Sequence, residues 1–178
     1  MGLTLHDTYG GYNPKADGHC GWRSVSRIVY NTEHHFDTVK ECMRSILLHN
    51  KDFYAAFIDI ERQLISLLKT RGSVTSEFWF DNIDCPQLVA DVYKRPVVLF
   101  ASGGDTTFLP FTKIDEIVMD LPPIILLLRG AHFNAIIAKK EATTRVKWPR
   151  IFPAYQSLVN ECGFSQKWLE MYTLRCRE

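Results

Sequence analysis

Apolar residues recur at helical spacing through the first half of the chain and cluster at strand-like density in the second. Trp22, Val25, Ile28 and Val29 fall on one face of a helix that begins at or just after Cys20. Val39, Met43, Ile46 and Leu47 mark a second helix, with Thr38 and Glu41 spaced as a capping box at its start. Ile60, Leu64, Leu67 and Leu68 share a face of a third, predicted over 56–69, with Gly72 near its expected end. Asp84 is placed to cap a short fourth helix whose first turn holds Pro86, where a missing N–H does no harm. Lys94 and Arg95 suit the end of that helix, and Pro96 marks the exit.

Beyond Pro96 the pattern changes. Residues 97–101 are apolar and partly β-branched, and after the turn Ser102-Gly103-Gly104-Asp105 residues 106–111 are predicted to pair back as a hairpin. Residues 124–128 and 133–138 flank Arg129-Gly130-Ala131-His132 and predict two further core strands. Residues 1–16, rich in Gly, Tyr, Asn and Pro, read as an irregular approach segment. After Arg145, Trp148-Pro149 and Phe152-Pro153 break regular structure, and residues 155–172 read as a packed helix interrupted by Gly163. Helices precede the sheet and one more lies inside it, so the class is α+β.

Composition narrows the function classes. A chain of 178 residues with 46% hydrophobic and 23% charged positions suits one soluble domain. A net charge of +1 leaves no basic footprint for nucleic acid. The most apolar run, 121–128, contains Pro122 and Pro123 and falls far short of the roughly 20 residues of a membrane span. The N-terminal stretch lacks the apolar region of a signal peptide, and Asp7 does not complete a myristoylation motif after Gly2. Cysteines at 20, 42, 85, 162 and 176 include no C-x-x-C pair, which argues against structural zinc, and their odd count without a secretory signal argues for reduced thiols in the cytosol or nucleus. His34, His35 and Cys42 read better as polar decoration of a helix start than as metal ligands.

Two segments carry candidate chemistry. In Asp17-Gly18-His19-Cys20-Gly21-Trp22-Arg23 a cysteine follows a glycine-containing turn and opens an amphipathic helix. Unpaired N–H groups and the helix dipole there favour the thiolate, and the same N–H groups can hold an oxyanion. Gly18 permits a tight backbone path, and Gly21 leaves room close to the sulfur. In Gly130-Ala131-His132-Phe133-Asn134 a histidine opens a strand, and Asn134, two residues on, projects from the same face and can fix the imidazole tautomer. Taken singly, a cysteine is more often a small buried hydrophobe and a histidine more often structural.

DGHCGWR resembles the nucleophile motif of the ovarian-tumour (OTU) cysteine proteases, and GAHFNAI resembles the histidine motif of that family. Between them, EFWFDNIDCPQLVADVYKRPVVLF resembles its central segment, so that three motifs stand in family order over residues 17–138. The resemblance implies a papain-like fold, a small and mostly antiparallel central sheet flanked by helices. It implies a catalytic core over 17–140 with a C-terminal extension over 141–178. It makes Cys20 the nucleophile and His132 the general base, with Asn134 orienting the ring. Asp17 would shape a loop whose backbone N–H groups at Gly18, His19 and Cys20 form the oxyanion hole, or supply the orienting charge itself. Trp22 and Arg23 match bracing positions; His19 stands where Asn is commoner, Asn134 where Asp is common, and Phe80 where Gly often follows the Trp.

The activity so implied is hydrolysis of an isopeptide bond in ubiquitin or ubiquitin-like conjugates through a thioester, without metal or cofactor. The expected partner is the modifier, with no nucleic acid or membrane, and the expected form a monomer in the cytosol or nucleus, or in host cytosol if a pathogen secretes it. Ubiquitin's tail is basic and ends in two glycines, for which Glu77, Trp79 and Asp81 are candidate contacts; a solvated acidic loop with Asp84 as a helix cap reads as well. Two rival readings share the motifs: a non-catalytic OTU-like module that binds ubiquitin, and a protease of a polyprotein or transposon-derived protein acting on other bonds.

Overall fold

The structure, a computed structural model, describes residues 2–111, 121–161, 170, 172 and 174–176. Strand β1 (Thr8–Tyr12) comes first, then helices α1 (Cys20–Tyr30), α2 (Phe36–His49), α3 (Lys51–Tyr54), α4 (Ile60–Ser66) and α5 (Asp84–Tyr93). Strands β2 (Val97–Ala101), β3 (Thr106–Phe108), β4 (Ile124–Arg129) and β5 (His132–Ala138) follow, then α6 (Ala142–Arg145) and α7 (Gln156–Glu161). The sheet runs in the order β1-β5-β4-β2-β3, antiparallel except where β2 lies parallel to β4. The α+β class and the mostly antiparallel sheet agree with the sequence.

The apolar stripe of α1 explains its position. Trp22 and Val25 are fully buried against the sheet, with Val39, Met43 and Leu47 of α2 behind them. Each such side chain contributes roughly 1.5–3 kcal/mol by leaving water. α1 ends at Asn31, whose left-handed backbone (φ 58°) stops the helix.

Four local expectations fail, each to a competing signal. Residues 8–12 are not irregular: Tyr12 to Thr8 run along β5, with a register shift near Gly10 (φ 121°). The helix containing Thr38 begins at Phe36, because a 3₁₀ turn at Glu33–His35, capped by Thr32, feeds into it. The helix predicted over 56–69 is cut short, because the Asp59 side chain accepts the Arg62 N–H at 3.1 Å and starts α4 at Ile60. The strand predicted over 106–111 stops at Phe108, since the Phe111 N–H turns inward to the buried Asp91 carboxylate at 2.6 Å.

The segment after Ala138 packs on the body. Trp148, Ile151, Tyr155 and Val159 are buried, and isolated bridges join Thr107 to Ile151 and Trp148 to Cys176. The expected interruption at Gly163 and the thiol of Cys162 lie outside the described residues. Among the described residues no helix is long and apolar enough to cross a membrane.

Candidate active site

Cys20 is the first residue of α1 and is nearly buried. The loop before it is braced by Asp17, whose carboxylate accepts from the His19 N–H (3.1 Å) and from Arg23 Nε (3.2 Å) and Nη2 (2.7 Å). Burial pushes the Asp17 carboxyl up, but the Arg23 and His19 bonds and charges outweigh it and hold the group below its ordinary value. Arg23 is fixed in turn by the Phe36 ring, 4.2 Å from its guanidinium carbon. Gly18 takes φ 85°, and a Cβ there would come within 3 Å of Val74 and the Trp79 indole nitrogen. Val74 donates its N–H to the Asp17 carbonyl (3.0 Å) and accepts the Trp79 indole N–H (3.2 Å), so residues 74–79 are strapped across the loop that precedes Cys20.

Gly21 serves a purpose other than room for the sulfur. A Cβ there would lie 2.3 Å from Phe80 Cβ, so the glycine admits Phe80, whose ring also packs edge-on against Trp22 and Phe133.

Phe133 ties the start of β5 to Cys20. Its N–H donates to Cys20 Sγ at 3.4 Å, and its carbonyl accepts from Ser24 Oγ, also at 3.4 Å. One residue earlier, His132 opens β5, and its Nε2 lies 2.7 Å from Asn13 Oδ1. A carboxamide oxygen only accepts, so Nε2 carries the proton and Nδ1 is left as the basic nitrogen. The structure therefore brings Cys20 and the start of β5 together, but the ring's partner is Asn13. The Asn134 side chain makes no hydrogen bond among the described residues, and Asp17 is spent on Arg23 and His19. Of the three expected oxyanion donors, the His19 N–H is taken by Asp17; those of Gly18 and Cys20 have no partner among the described residues.

Beside Trp79 a groove of about 400 Å³ opens, lined by Arg62, Ile65, Glu77, Trp79 and Asp81 among others. Glu77, Trp79 and Asp81 are thus brought together, but Asp81 is already employed. Its Oδ1 accepts the N–H groups of Ile83 (2.8 Å), Asp84 (2.7 Å) and Cys85 (3.3 Å), making Asp81 rather than Asp84 the cap of α5. Asp84 instead accepts from Tyr155 (3.1 Å) and Gln63 (3.2 Å). Behind the groove Lys40 is fully buried, donating to the Ser66 and Leu68 carbonyls at 3.0 Å each, with its ammonium 5.0 Å from the Trp22 ring. Burial lowers its pKa to about 8. His19, buried against Phe36, is likewise pushed below its ordinary value by burial and then by the Lys40 charge. Among the described residues no cluster fit to hold a metal ion is present, and His35 packs edge-on to Tyr30.

The backbone arrangement is shared with known structures. It superposes on the viral OTU domain protease of Dera Ghazi Khan virus with a TM-score of 0.54 at 12% identity, over 77% of this chain and 85% of that one. A solved OTU domain in complex with ubiquitin matches 93% of this chain and 94% of its own, at a TM-score of 0.51 and 11% identity. The chain has the OTU fold. Sequence relatives agree: OTU domain-containing protein 5-A of Xenopus laevis is 24% identical over 168 residues, 90% of this chain and 31% of that protein. The OVARIAN TUMOR DOMAIN-containing deubiquitinating enzyme 9 of Arabidopsis thaliana is 22% identical over 132 residues, 71% of this chain and 35% of its own. The chain thus spans about a third of the length of the curated relatives it matches. No family profile matches it. Asn13 is the residue at the candidate site that sequence reasoning missed; its one signal is the Pro14 that follows it and disfavours helical backbone there.

Proposed function

We propose that this OTU domain is a cysteine-dependent isopeptidase that releases ubiquitin or a ubiquitin-like modifier from lysine side chains. The observation that carries the reading is the bond from the Phe133 N–H to Cys20 Sγ, which sets the residue beside His132 against the sulfur at a helix start.

In this reading His132 Nδ1 takes the Cys20 proton, and the thiolate attacks the carbonyl carbon of the modifier's last residue. The oxyanion meets the unpaired N–H groups of Gly18 and Cys20. Collapse breaks the C–N bond, and the lysine amine leaves with the proton from His132. Water, deprotonated by His132, then attacks the thioester, releasing the modifier's carboxylate and restoring the thiol. No step calls for metal or cofactor.

The neighbour solved in complex with ubiquitin supports ubiquitin as the partner. In the groove, Trp79 and Glu77 are the contacts offered to the modifier; Asp81 acts there through the α5 cap. The described cysteines are free thiols, which suits a reducing compartment such as the cytosol or nucleus.

A ubiquitin probe ending in a thiol-reactive electrophile tests the assignment. The wild-type chain is expected to form a covalent adduct and the Cys20→Ala variant none; an adduct that survives Cys20→Ala defeats it. Cleavage of linked ubiquitin chains against a panel of other modifiers and peptide bonds separates this reading from its rivals.

A further inference from the structure

We infer that Asn13, not Asn134, is the positioning residue for His132, so that the edge strand β1 completes the catalytic site. The inference rests on the proposed thiol protease, and its geometry is local. Asn13 Oδ1 stands 2.7 Å from His132 Nε2, whereas the Asn134 side chain makes no hydrogen bond among the described residues.

Asn13 is itself exposed, but the chain on either side of it is pinned. Tyr12 is the last residue in register with β5, opposite Ala135, and its ring lies 5.1 Å from the Arg27 guanidinium carbon of α1. Pro14 is buried and disfavours helical backbone at Asn13. At the other end of β1 the Asp7 carbonyl accepts the Lys139 N–H at 2.8 Å, and the Asp7 carboxylate pairs with Arg145. An exposed amide held between two such anchors is preset toward the ring, and orientation prepared before substrate arrives lowers the barrier rather than tightening binding.

Asn134 shares a strand face with His132 but is separated from it along the strand by the Phe133 pleat. A bond from Asn134 would also have to displace the one already made by Asn13. The consequence is that the base belongs to β5 while its tautomer is set by a residue about 120 positions away.

The experiment uses the full chain and a fluorogenic amide of the ubiquitin C-terminus. Asn13→Ala is expected to lower kcat by roughly 10-fold, the worth of one oriented hydrogen bond, with KM and melting temperature near wild type. Asn134→Ala is expected to stay within about twofold. Asn13→Asp places a carboxylate on the imidazole and is expected to raise, by about one pH unit, the limb of the pH–rate profile that reports His132. A residue 13 that does not touch the ring in solution would leave that limb in place. Proton and nitrogen NMR of the His132 Nε2–H supplies a readout without turnover: the resonance is lost to exchange in Asn13→Ala and retained in Asn134→Ala. The reverse pattern in rate or resonance, or an unmoved limb in Asn13→Asp, overturns the inference. If the wild-type chain hydrolyses no ubiquitin substrate, the protease reading fails, and the NMR comparison still decides whether Asn13 holds the ring.

Discussion

Replacing Asp91 with Asn should make the protein more stable at neutral pH and leave it nearly unchanged in acid. Asp91 lies on α5, fully buried, and accepts from the Phe111 N–H (2.6 Å), the Tyr54 hydroxyl (2.8 Å) and Gln87 Nε2 (3.4 Å). Burial raises its pKa to about 6, and those bonds only partly offset the cost of charging it. An unfolded chain titrates this carboxyl near 3.9, so the native state holds the proton more tightly by about two units, or about 3 kcal/mol. That stabilisation is complete below about pH 4 and is lost as pH rises through about 6. An amide resembles the protonated acid in setting an acceptor oxygen beside a donor group, here an NH2 with two N–H donors, and it does not titrate. Wild type and Asp91→Asn should therefore agree within about 1 kcal/mol near pH 4.5, with the variant ahead by about 2–3 kcal/mol at pH 7.5. Urea denaturation followed by tryptophan fluorescence at pH 4.5, 5.5, 6.5 and 7.5 measures the difference, in which the other groups cancel. A difference flat in pH, or a variant that loses ground as pH rises, would refute the argument.

Gly21→Ala should cost about 1–3 kcal/mol of stability through overpacking against Phe80 and should slow turnover as α1 shifts, both read by melting and by ubiquitin-amide hydrolysis. Wild-type values for both would dispose of the close-packing explanation. Asp17→Ala should cost about 3–5 kcal/mol, because it strands Arg23 and the His19 N–H in a buried setting. The Asp17 contribution stands above the ordinary carboxyl range and fades as pH falls through the lowered native value, so the penalty of the variant should shrink in acid. Denaturation across that range checks the sign.

What could be read in advance follows from how local each signal is. Cys20 at a helix start and His132 at a strand start are both set by a few neighbouring residues, and the sequence placed both elements. The α5 cap was misassigned by three positions, because Asp81 and Asp84 are equally suited by type and only the fold decides which carboxylate meets the free N–H groups. The early stop of the hairpin strand came from Asp91, a side chain from another element competing for the Phe111 N–H. Least visible was β1. Thr-Tyr-Gly-Gly-Tyr has the composition of a loop, and only pairing with β5, far along the chain, makes it a strand and brings Asn13 to the ring.

Lys40 turns the groove wall into its own reporter. Its amine is sealed between Trp22 and the Ser66 and Leu68 carbonyls at and just past the end of α4, so an amine-directed reagent can acylate it only after those bonds open. Its labelling rate, compared with that of surface lysines such as Lys15, then measures how often the helical layer beside the candidate site comes apart while the sheet stays folded. If the proposed reaction releases a lysine amine, the most protected lysine of the described chain would count those openings without taking part in it.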